Sequence, residues 1–221
     1  MKLIYKDMER VLRFEEGGVK ELAVENKRMF LNMVNSAILQ ADGARGDFLL
    51  SVSDRPVEFS KYADVTVQFA PFQVNRRSLL TKLYAVLEKN ALGADNYAKT
   101  GELLGEAERY ILSLAEEFPF EINCTKLAIG TVIKAISPEI EESDKGVLEQ
   151  VFSYMEMVRE LDRDKLFVMI NMRTYFADEE MECFAESVCL HDFKVLLLES
   201  SSYPNLKHVQ RFTIDADLCE F

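Results

Sequence analysis

The stretches LFVMINM (residues 166–172) and KVLLLES (residues 194–200) decide the fold. Each is a short apolar run without polar alternation. That is the pattern of a strand covered on both faces, as in a parallel sheet. Between them, residues 178–189 carry a helical pattern that opens on Asp178, Glu179 and Glu180, where carboxylates favour the helix dipole. Strand, helix and strand in this order imply a right-handed parallel crossover. A last alternating strand is read at 208–215.

Working toward the amino terminus, residues 144–161 form a helix with Val147, Leu148, Val151, Phe152, Met155 and Val158 on one face. From Pro71 to residue 118 there is almost no strand signal. A helix capped by Asn75 carries Leu79, Leu80, Leu83, Tyr84, Val86 and Leu87, and Gly93 breaks it. A second helix spans 97–118, residues 118–126 are extended, and 126–136 are helical until Pro138. The first 70 residues return to strands at 2–5, 10–14 and 19–24, with Gly17 and Gly18 as a hairpin turn between the last two. A helix over 30–41 stops at Gly43. Strands at 48–53 and 63–69 are joined through a turn at Asp54, Arg55 and Pro56. The fold class is therefore α/β: a head with a mixed or parallel sheet, made from residues 1–70 and 145–221, and an inserted α-helical lobe at 71–144.

Composition bounds what this fold does. The chain has 221 residues and a formal charge of −12. A uniformly acidic surface repels nucleic acid, so DNA binding needs segregated basic residues or intervening cations. The longest apolar runs fall far short of the ~20 residues of a membrane span. The first ten residues lack the apolar core of a signal peptide, so a cytoplasmic protein is expected. The four cysteines form no C-x-x-C pair, and there are only two histidines. Zinc sites and Cys–His dyads are unsupported, and the thiols are expected to be reduced and mostly buried.

A parallel α/β sheet raises the question of nucleotide binding. No G-x-x-x-x-G-K-[ST] loop, G-x-G-x-x-G or G-x-S-x-G is present, so no backbone cradle for phosphates is available. Asp54, Glu58 and Lys61 loosely resemble a nuclease set, but Glu58 and Lys61 would face opposite ways on a strand. No catalytic residue is assigned.

Two features remain. Acidic oxygens cluster at two places in the second half of the helical insertion: Glu116, Glu117 and Glu121 with Asn123 and Thr125, then Glu139, Glu141, Glu142 and Asp144. Positions 121, 123 and 125 share a face in an extended segment. Such donors suit a hard cation, Ca²⁺ above all. Basic residues concentrate at the start of the insertion, where residues 71–100 hold five basic side chains against two acidic ones. Lys126 and Lys134 lie eight apart on one helix and so share a face.

The chain resembles the ring-forming accessory adaptation proteins of type II-A CRISPR loci, which bind double-stranded DNA ends. The resemblance rests on ELAVENKRMF (21–30), NRRSLLTKLY (75–84), LFVMINMRTYFADEEM (166–181), VLLLES (195–200) and FTIDADLCEF (212–221). The most specific piece is the apolar strand followed by Asn171, Tyr175, Phe176 and an acidic helix start. These stretches span nearly the whole chain, and the insertion matches least. The resemblance implies a nucleotide-hydrolase-like head without its phosphate loop and a helical leg. It implies a homotetrameric ring whose basic hole threads duplex DNA, calcium held by acidic residues near the junction of head and leg, and no catalysis. The partners it implies are the integrase and the effector nuclease of the same locus, during spacer acquisition. Carried onto this sequence, the DNA contacts are Arg76, Arg77, Lys82, Lys126 and Lys134. The calcium ligands are Glu117, Glu121, Asn123, Glu139 and Glu142, although the neutral Asn123 and Thr125 depart from the family's alternating carboxylates. The competing reading is a protein-interaction scaffold with little DNA affinity, docking through the acidic helix that starts at Asp178.

Overall fold

The computed structural model describes residues 1–116, 118–141 and 145–221. The chain divides into two units, one made of Met1–Gln73 and Asp144–Phe221, the other of Val74–Ser143.

In the first unit, strands β3 (Gly18–Val24), β6 (Ala63–Thr66), β7 (Leu166–Ile170), β8 (Lys194–Glu199) and β9 (Val209–Ile214) form a parallel sheet in the order β6-β7-β8-β3-β9. Every pairing is parallel. The apolar runs at 166–170 and 195–198 become the central strands, buried on both faces as their composition demands. A second, antiparallel sheet has the order β2-β1-β4-β5, from β1 (Lys2–Tyr5), β2 (Leu12–Arg13), β4 (Phe48–Val52) and β5 (Arg55–Val57).

Helices α1 (Lys27–Ala41) and α2 (Phe59–Tyr62) lie between these sheets. The main core joins Leu3, Tyr5 and Phe48 of the antiparallel sheet to Met33 and Ala37 of α1 and to Leu22, Val168, Leu196 and Leu198 of the parallel sheet. Helices α6 (Val147–Leu161) and α7 (Asp178–Leu190) follow the strand-to-strand crossovers, and α7 packs on β3. The unit is α/β with one parallel and one antiparallel sheet.

Several expectations change here. Gly17 and Gly18 are not a hairpin turn: β2 pairs only with β1, while β3 belongs to the other sheet. Gly17 is instead a close-approach position, since a Cβ there would lie 2.3 Å from the Asp192 backbone. Residues 48–53 and 63–69 are not a hairpin either. The turn after β4 leads into β5, and α2 then carries the chain to β6 in the parallel sheet. Glu58 and Lys61 therefore sit on a helical turn, where they pair at 2.7 Å. The thiols are unpaired, but all four are exposed rather than buried. Cys183 and Cys189 occupy exposed positions of α7, and the other two lie outside regular elements.

The second unit contains α3 (Arg77–Ala91), α4 (Tyr97–Ser113) and α5 (Ile129–Ile136). Asn75 does not cap α3; Arg76 occupies that position. The Asn75 side chain donates to Ile140 O and accepts from Ile140 N, both at 2.9 Å, and so clasps the two ends of the unit. Helix α5 begins at Ile129, not at 126, because Leu127 N donates to the Glu108 carboxylate at 3.0 Å and holds the chain extended.

Candidate nucleic-acid interface

Helices α3 and α5 pack against each other. Their direction follows from two close approaches. Gly130 in the first turn of α5 lies against Glu88 in the last turn of α3, and Asn75 before α3 bonds Ile140 after α5. The helices are antiparallel, which brings the middle of α5 beside the middle of α3. Arg77 and Lys82 of α3 and Lys134 of α5 are exposed on this pair, and Arg76 is half-buried at its edge. Lys126 is exposed in the segment before α5, so it does not share a helical face with Lys134. Arg76 and Lys82 each engage a further partner. Among the described residues, no carboxylate pairs with Arg77, Lys126 or Lys134.

The expected oxygen donors are less gathered. Glu121, Asn123 and Glu139 are all exposed. No group of three His, Cys, Asp or Glu side chains with cation-binding geometry occurs among the described residues. Glu117 and Glu142 lie outside the described residues.

The head offers the other place where ligands bind in such folds, the carboxyl ends of parallel strands where strand order reverses. Here β3, first of the parallel strands in the chain, sits between the fourth and the fifth. Its connection to α1 is only Glu25 and Asn26. Asn26 Oδ1 accepts from Met29 N at 3.0 Å and so occupies the helix N-terminus. Glu25 accepts from Ser202 Oγ at 2.8 Å and fronts that N-terminus with a carboxylate. A phosphate would meet a filled donor and a like charge.

Beside this end lies an ionic cluster that sequence reasoning missed. Glu21, Glu199 and Arg173 are almost wholly buried. The register pairs Glu21 with Arg211 and Ala23 with Glu199, so the acids share the sheet face that α7 covers. Arg173, in the turn after β7, donates to Glu21 at 2.9 Å, to Asp178 at 2.5 Å and to Pro204 O at 2.9 Å. Arg211 Nε lies 2.8 Å from Glu21 Oε1, an ion pair without the alignment of a hydrogen bond. Asn171, in the left-handed conformation at φ 52°, accepts from Ser200 N at 2.9 Å and ties the ends of β7 and β8 together. The signal in the sequence is a glutamate next to the apolar residues of each of two strands, Glu21 before Leu22 in β3 and Glu199 at the end of β8, since a buried charge needs a partner.

Burial pushes the Glu199 carboxyl up to about 8; the Arg173 N–H bond acts against this shift, and the charge of Glu21 adds to it. The folded protein therefore holds a proton on Glu199 at neutral pH. The unfolded chain releases it near 4.5. Because the folded state binds the extra proton, this group's contribution falls as pH rises from 4.5 to 8, by up to about 1.4 kcal/mol per unit. Glu199→Gln cannot titrate and should gain stability over the natural protein across that window. Urea unfolding at pH 5, 6.5 and 8 reads the difference, and parallel pH profiles for the two proteins would refute it.

A CRISPR-associated protein Csn2 from Enterococcus faecalis is 22% identical over 206 residues, which is 93% of this chain and 92% of that protein. The crystal structure of Stu0660 of Streptococcus thermophilus aligns with a TM-score of 0.60 at 11% identity, covering 90% of this chain and 68% of that one; at this identity the likeness speaks for the fold alone. Residues 40–218 match the family of CRISPR-associated proteins designated Cas_Csn2, a span that takes in both units, so the chain belongs to the Csn2 family.

Proposed function

We propose that this protein binds double-stranded DNA without sequence preference and without catalysis, as a calcium-supported homotetrameric ring acting in CRISPR spacer acquisition. The observation that carries the reading is the exposed basic set on the antiparallel α3–α5 pair, Arg77, Lys82 and Lys134, in a chain of charge −12. A ring of such surfaces would turn its cations toward phosphates, while the acidic remainder resists non-specific association. Self-assembly finds support in the uncovered apolar surface of the second unit. Leu103, Tyr110, Ile111 and Leu114, then Phe118 and Phe120, are all more than half exposed. The partners on this reading are duplex DNA, further copies of the chain, and the locus's integrase and effector nuclease, all in the cytoplasm. No helix of the described residues is long and apolar enough to cross a membrane.

Calcium is proposed on the donor chemistry of Glu117, Glu121, Asn123, Glu139 and Glu142, which supply only oxygen. The described members Glu121, Asn123 and Glu139 are all exposed.

A mobility shift with linear and covalently closed duplexes, with and without Ca²⁺, tests the whole reading, with the mass in solution recorded in parallel. A tetramer should shift linear DNA alone, and more strongly with Ca²⁺. Its log affinity should fall with log salt at a slope near −0.9 per phosphate neutralised, measured below about 0.2 M salt. A flat salt response, or equal shifts of closed circles, would overturn the threaded ring.

A further inference from the structure

A groove of about 590 Å³ runs between α6 and α7, within the first unit. Its floor is apolar, with Leu148 and Phe152 from α6 and the buried Phe184 from α7. Its rim is acidic, with Glu149 and Glu156 on one helix and Glu180 on the other, all exposed. The residues from α6 recur at 148, 149, 152, 153 and 156, and those from α7 at 180, 183, 184 and 187. These are helical ridges, and the trough between two such ridges has the shape that receives a third helix.

Charge chooses the occupant. Glu149 and Glu156 form no ion pair and no hydrogen bond through their carboxylates among the described residues. Among the described residues, Glu180 accepts only from Ala177 N, at 2.9 Å. Lys145 is the one cation lining the groove among the described residues. The nearby Arg159 is spent elsewhere: it donates to His191 O at 2.8 Å and lies 4.1 Å over the Phe193 ring. Nucleic acid and anionic membranes are repelled by such a rim. The chain's own basic helix α3 already buries Leu79 of its apolar stripe, at 3% exposure.

We infer that this groove docks a basic amphipathic helical segment of a separate protein. The segment's apolar stripe covers Leu148, Phe152 and Phe184, and its lysines or arginines flank Glu149, Glu156 and Glu180. The groove spans residues 148–156 along α6, about 12 Å at 1.5 Å per residue, so it engages about two helical turns. The inference is independent of the DNA-binding reading, because it uses neither α3 nor α5.

The test uses the full chain and a fluorescent synthetic helix of about four turns. The helix carries leucine at i, i+3 and i+7 with lysines on both flanks, and a control peptide has glutamate for every lysine. Anisotropy should show saturable binding of the lysine peptide, at least tenfold weaker binding of the glutamate peptide, and a similar loss in Glu149→Gln/Glu156→Gln. These side chains are exposed, so the variant keeps its circular dichroism spectrum. A bromoacetyl group on the lysine peptide should alkylate Cys183, which lines the groove, ahead of Cys124, Cys189 and Cys219, which are also exposed. No saturable binding, equal binding of both peptides, alkylation led by another cysteine, or a changed solution mass in the glutamine variant would each overturn the inference. The last outcome would assign the groove to a second copy of the chain.

Discussion

Arg173→Ala is expected to cost about 3–5 kcal/mol, because it removes one of the two guanidinium groups that balance a carboxylate in the interior. Glu21 is fully buried and depends on two guanidinium groups, Arg173 at 2.9 Å and Arg211 at 2.8 Å. Removing the first also opens the links to Asp178 and Pro204 O, which hold the start of α7 and the loop before β9. Natural domains have about 5–15 kcal/mol in all, so the variant should be close to unfolded at 37 °C. Arg173→Lys should recover only part, since an ammonium cannot span Glu21, Asp178 and a carbonyl as a planar fork does. Adding Glu21→Gln to Arg173→Ala should restore much of the loss, because the cost lies in a buried carboxylate left with Arg211 alone more than in the missing bond. Urea unfolding of the natural protein, Arg173→Ala, Glu21→Gln and the double variant at one pH reads the cycle, with Arg173→Lys beside them. A loss below about 1 kcal/mol in Arg173→Ala would mean that water reaches the cluster and that it does not hold the sheet end together.

This cluster also marks the boundary of what the amino-acid pattern could tell. The strands at 166–170 and 194–199 were legible because burial on both faces leaves an unbroken apolar run. Their parallel crossover followed from the helix between them. The edge between two sheets was not legible: β2 and β3 are close in sequence and look like a glycine hairpin, yet they pair in different sheets. Hairpin turns are local, whereas sheet membership depends on partners about 175 residues away, such as Asp192 against Gly17. Asn75 carried the same ambiguity. Its side chain suits a helix cap, but a tertiary partner, Ile140, competes for the same donor and acceptor. The basic residues were found by composition, because charge segregation survives without knowledge of the fold. Their grouping on α3 and α5 required the antiparallel packing of those helices.

Binding to DNA should collapse when Arg77 and Lys134 are both replaced by glutamate. Each side chain is exposed, each lies on one member of the α3–α5 pair, and neither has a carboxylate partner among the described residues. Reversal therefore removes no internal ion pair there and leaves folding intact, unlike the change at Arg173. In a tetramer, two reversals per chain alter eight positions around one duplex. Each phosphate contact contributes about 0.9 to the log–log salt slope. Losing several contacts and adding repulsion should weaken binding by at least about a hundredfold near 0.1 M salt and flatten the salt dependence. The milder Arg77→Ala/Lys134→Ala variant should flatten the slope similarly with a smaller loss, since it removes contacts without adding repulsion. Lys27→Glu/Arg28→Glu, two exposed residues on α1 of the head, makes the matched control for net charge and should bind nearly as the natural protein does. Equal losses in the control and the test variant would mean that only total charge matters and that no basic surface is committed to DNA. An unchanged shift in the test variant, with the tetramer intact, would move the contacts off the α3–α5 pair altogether.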